Sequence, residues 1–122
     1  MKIKSIVIPY FPTERFTAYV KRAGASSAES LTLEQKQHVF LMAISDFYEY
    51  GLSLDELAHV GNRMWASLDD RTTELADAMY AASELSYYIR YADEKSIDVL
   101  LDFLTDVKEY FEEYKNILKD QS

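Results

Sequence analysis

Apolar residues recur along this chain at the three-to-four-residue spacing of amphipathic helices, from position 13 almost to the end. Phe16, Tyr19, Val20 and Ala23 form one stripe and predict a short helix over 13–23. Lys21 and Arg22 suit its C-terminus, and Gly24 is placed to stop it. Residues 25–31 read as a linker. From Thr32 a long helix begins, with Leu33, Phe40, Ile44, Phe47 and Tyr48 on one face. Thr32 and Gln35 have the spacing of a capping box.

Gly51 ends that helix and Ser53 opens the next, where Glu56 completes a second capping box and Leu52 can staple onto Leu57. Stop and start signals this close predict a tight αα-hairpin. The second arm presents Leu54, Leu57, Gly61, Met64, Trp65 and Leu68 on its apolar face. Gly61 there implies either a close helix approach or a kink. After a junction at residues 69–72, a helix over about 73–92 carries Leu75, Ala78, Ala82, Leu85 and Ile89 on one stripe. Residues 93–96 are expected to break it. In the last helix Ile97, Leu104, Phe111 and Leu118 recur every seven residues, with Leu100, Val107 and Tyr114 three positions behind. Short connections favour a bundle member over a zipper for that seam.

Residues 2–8 are rich in β-branched residues, and Pro9 and Pro12 hold Tyr10 and Phe11 out of helix. This arm is expected to lie across the bundle or to pair with a second copy. No proline follows Pro12 and the chain has three glycines in all, too little punctuation for a sheet protein. The expected fold is a single all-α domain over 1–122. It is an antiparallel four-helix bundle-like domain over 32–118, with a short extra N-terminal helix and an extended N-terminal arm over 1–12.

Charge changes the picture more than composition does. The net charge is −8, and it is unevenly placed: residues 1–36 carry +3 and residues 37–122 carry −11. So acidic a body argues against a nucleic-acid partner, whose phosphates need cations, and suits a basic protein. The apolar fraction of 48% is that of a folded domain. No apolar run reaches the roughly 20 residues that cross a bilayer. The absence of cysteine removes disulfides and thiolate metal sites, and a cytoplasmic setting fits.

Candidate chemistry is sparse. No nucleophile elbow or Gly-rich phosphate loop is present. Glu56 and His59 have the Glu-x-x-His spacing of di-iron bundles, but such sites need two inward-facing copies. His38 and His59 both fall opposite their apolar stripes and are expected to face solvent, His38 at roughly 140° from the stripe centre. The turn at Gly51 resembles a helix-turn-helix corner only locally. Phe47 is too large for the crossing, and Ser53-Leu54-Asp55-Glu56 would offer carboxylates to phosphates. No metal or cofactor site is expected.

Two surfaces stand out instead. Tyr80, Tyr87 and Tyr91 lie within about 40° of one another, away from the Leu75–Ile89 stripe. Asp98, Asp102, Asp106, Glu109 and Glu113 lie within about 80° on the last helix, opposite its seam. Tyrosine gives large contact area at low entropy cost. The expected function is therefore a non-enzymatic acidic helical protein-binding module, a small adaptor or stoichiometric inhibitor of the immunity type that docks on a basic protein. The alternatives are a homo-oligomeric helical module, a homodimer being the simplest, and a small-ligand-binding or enzymatic bundle.

Overall fold

A computed structural model describes residues 13–49, 51–85 and 94–120. The N-terminal arm expected over 1–12 and the stretch of expected helix over 86–92 lie outside the described residues. Within them the chain is all-helical and bundle-like. The helices are α1 (Thr13–Arg22), α2 (Leu33–Glu49), α3 (Leu54–Ala66), α4 (Glu74–Ser83) and α5 (Glu94–Asp120), with a 3-10 turn at Ala28–Ser30.

The termini form for the reasons the sequence suggests. Gly24 has a φ of 94°, and the Ala25 and Gly24 amides donate to the Val20 and Lys21 carbonyls, a Schellman stop to α1. Thr32 and Gln35 exchange bonds of 2.8 and 3.1 Å at the start of α2. Ser53 and Glu56 exchange bonds of 3.0 and 3.1 Å at the start of α3. Each such cap stabilises its helix by about 1 kcal/mol. Lys36 donates to the Ser67 carbonyl, and Arg71 to those of Trp65 and Ala66, so cations from elsewhere satisfy the open end of α3.

Two boundaries differ from expectation. The helix expected from 73 to 92 is interrupted at Glu84. There the Ser83 hydroxyl donates to the Tyr80 carbonyl at 2.7 Å, and the Glu84 amide is shared among the Tyr80, Ala81 and Ala82 carbonyls. A side chain that takes a backbone acceptor competes with the helical ladder. The break expected over 93–96 is not found at its last three positions, since Glu94, Lys95 and Ser96 already belong to α5. Glutamate and lysine are good helix formers, and neither glycine nor proline stands there to stop them.

The bundle closes as a ring in which α2 packs on α3, α3 on α4, α4 on α5 and α5 on α2, while α1 lies on α2. This makes α2 the central element. Its residues from His38 to Ile44 are buried without a break. The core gathers Tyr19 and Val20 of α1, Leu57 and Val60 of α3, Met79 of α4 and Leu85 just after it, and Val107 of α5 around it. Such a core contributes about 25 cal/mol per Å² of apolar surface removed from water. Gly61 marks a close approach: a Cβ there would lie 2.8 Å from that of Ala82.

Position on the stripe fails at three places, one of them Tyr48, which is 42% exposed at the end of α2. Leu33 is 61% exposed, because the first turn of α2 offers it no cover. His38, expected in solvent, is only 7% exposed. The stripe argument assumes a helix with a wet side. In its middle α2 keeps only the floor of a groove open to water, because α1 lies on it as well as α3 and α5.

Candidate functional site

The acidic stripe is presented as expected. Asp98, Asp102, Asp106, Glu109 and Glu113 are all exposed on α5. The packing adds what the linear pattern does not contain. The first turn of α4 sits beside α5, so Glu74 and Asp77 join Asp106, Glu109 and Glu113 around a cleft of about 300 Å³. Its other lining residues are Ala78 and Tyr110, so no cation among the described residues borders it. Glu74 and Asp77 occupy the first turn of α4, where the helix dipole favours carboxylates. The signal that could have found them is that turn, read together with the packing of α4 on α5.

Tyrosines hold the cleft in shape. The Tyr114 hydroxyl donates to Glu74, tying α5 to the start of α4. Glu74 accepting that proton pushes the Tyr114 phenol up to about 12. Tyr110 is buried at the back, 4.5 Å from the Tyr114 ring centroid and 5.9 Å from that of Phe40. The Gln37 side-chain amide donates to its hydroxyl at 2.7 Å. Burial raises its pKa well above the usual phenol value.

Of the tyrosine face, only Tyr80 lies within the described residues; Tyr87 and Tyr91 are outside them. Tyr80 is 45% exposed, with its ring 5.4 Å from the half-buried Trp65. The Arg71 guanidinium lies over the Trp65 ring, 4.4 Å from its centroid. Tyr80 thus belongs to an α3–α4 patch, separate from the stripe on α5.

A second, larger groove of about 880 Å³ opens between α2 and α5. His38 and Met42 of α2, Phe111 and Leu118 of α5, and Arg22 at the end of α1 line it. Burial lowers the His38 pKa, and the neighbouring Arg22 charge lowers it further, so the imidazole is neutral at pH 7. His59 is half-buried. Glu56, its partner in the Glu-x-x-His spacing, is occupied in the Ser53 capping box and lies 4.0 Å from Arg15. Among the described residues no three acidic or histidine side chains converge as metal ligands, and no helix is long and apolar enough to cross a membrane.

No protein-family model, no curated protein and no solved structure matches the chain.

Proposed function

We propose that this chain is a non-enzymatic, acidic helical protein-binding module, a small adaptor or stoichiometric inhibitor that docks on a basic protein through the face shared by α4 and α5. The observation that carries the reading is the cleft where Glu74 and Asp77 meet Asp106, Glu109 and Glu113, with no cation among the described residues on its rim. Like charges this close repel one another, at a few tenths of a kcal/mol per neighbouring pair along a helix. A cationic partner relieves that repulsion on binding. Fields of this kind also speed encounter and make it sensitive to salt. The exposed Tyr80–Trp65–Arg71 patch has the residue types that dominate interface energetics and supplies a second contact.

The test is affinity capture at low salt with the wild-type chain and with an Asp106→Lys/Glu109→Lys variant. The reading expects a basic protein that the wild type retains, that salt releases, and that the variant loses. Retention untouched by both reversals refutes it.

A further inference from the structure

The groove between α2 and α5 contains a buried polar side chain that the fold leaves unused. The His38 imidazole is more than nine-tenths buried and lines the groove, and no hydrogen bond to it is found among the described residues. Neither of its nitrogens is sealed off without a partner, so they open to the groove itself. A polar group in that position normally has a partner, because an unmade buried hydrogen bond is costly. Here no described side chain supplies it, so water in the groove does, and a ligand that enters can take that water's place. Arg22 stands beside it, exposed and with no carboxylate partner among the described residues. We infer that this groove is a binding site for a small amphipathic carboxylate, whose carboxyl group bridges Arg22 and His38 and whose apolar body lies on Met42, Phe111 and Leu118.

The chemistry selects that class. A guanidinium takes a carboxylate through two parallel N–H bonds, and the imidazole adds a third donor. The apolar residues need a ligand with a hydrocarbon or aromatic body. A polyphosphate or nucleic acid is disfavoured, because Asp46, Glu49 and Glu112 also face the groove. They balance Arg22, Lys115 and Lys119 in number and leave no net positive field. Lys115 is already bonded to Glu112 at 2.7 Å, and Asp46 accepts the Tyr19 hydroxyl at 2.6 Å. A volume of about 880 Å³ lies within the range of small-molecule sites. The site involves none of the acids of the α4–α5 cleft, so it stands or falls separately from the docking reading.

The probe is octanoate, added to the whole chain and followed through the His38 ring signals by NMR, with octylammonium and inorganic phosphate as comparisons. The expected result is saturable movement of the His38 signals with octanoate alone and a rise in the His38 pKa on binding, as an anion favours imidazolium. Exposed Arg22 can be replaced without disturbing the core, and Arg22→Met should weaken octanoate binding by at least about tenfold. Unmoved His38 signals, equal response to octylammonium or to phosphate, or full affinity in Arg22→Met would each overturn the proposal.

Discussion

Gly61 and Ala82 meet across α3 and α4 with no room for another carbon. A Cβ built on Gly61 would lie 2.8 Å from the Ala82 Cβ and 2.8 Å from the Met79 carbonyl oxygen. One of these atoms is backbone, so relief requires α4 to move as a body. Gly61→Ala gains about 1 kcal/mol of helix propensity. Overpacking costs about 1–3 kcal/mol at an ordinary core site, and a rigid backbone neighbour places this one at the upper end. The variant should therefore be destabilised, with a lower urea midpoint and an unchanged m-value. A midpoint equal to the wild type would show that α3 and α4 do not approach this closely.

Gly51 is required for a different reason. It has a φ of 78°, and a Cβ there would meet nothing within 4 Å. Its role is confined to the backbone. The turn it makes lets the Leu52 amide donate to the Asp46 carbonyl at 3.1 Å. Gly51→Ala should cost about 1–2 kcal/mol, the penalty of the left-handed region for an L-residue. Gly51→Asn should cost less, because asparagine tolerates that region. Thermal unfolding of the two variants side by side checks the order.

These two glycines show what was legible in the sequence. The Gly51–Ser53 turn is a local event, so its stop signal, cap and staple could be read from adjacent letters. Gly61 was legible only as two options, since the choice between close approach and kink depends on which helix packs opposite. His38 and Leu33 were misplaced for the same reason. Periodicity gives an angle around a helix, while burial depends on how many neighbours that helix has and how far they extend along it. The stripe on α5 was visible because it lies on one helix. Glu74 and Asp77 were not, because only the packing of α4 against α5 brings them to Asp106 and Glu113.

Tyr19 is 2% exposed, and its hydroxyl donates to the Asp46 carboxylate at 2.6 Å, fastening α1 to α2. Burial, then the bond and charge of Asp46, push this phenol well above the ordinary tyrosine range. A hydrogen bond to a charged acceptor contributes about 1.5–3 kcal/mol. Asp46 is only half-buried and lines the α2–α5 groove, so water can replace part of what is lost. Tyr19→Phe should cost about 1–2 kcal/mol, with amide exchange rising in α1 before the rest of the bundle. Loss spread evenly over the described helices would show that α1 is not a separate unit held by this bond.

His38 sets how the fold responds to mild acid. Its folded-state pKa is lowered, by burial first and by Arg22 second, from the 6.5 of an unperturbed imidazole. Above that value the ring is neutral both folded and unfolded, and it contributes nothing to the pH dependence. As pH falls below it, the unfolded chain takes up a proton that the folded chain accepts less readily. The unfolded state is favoured, so stability declines with falling pH until the folded ring also titrates. Asp70 and Glu112 have carboxyl groups held below their ordinary values by bonds from Thr72 and Lys115, so their losses begin only in stronger acid. Urea midpoints measured between about pH 7 and pH 5 should therefore fall in the wild type and flatten in His38→Gln. Comparing slopes separates this effect from any constant cost of the substitution, which lowers every midpoint alike. An unchanged slope in His38→Gln would mean that the imidazole is as easily protonated in the fold as outside it, and that the groove is open enough to hydrate it.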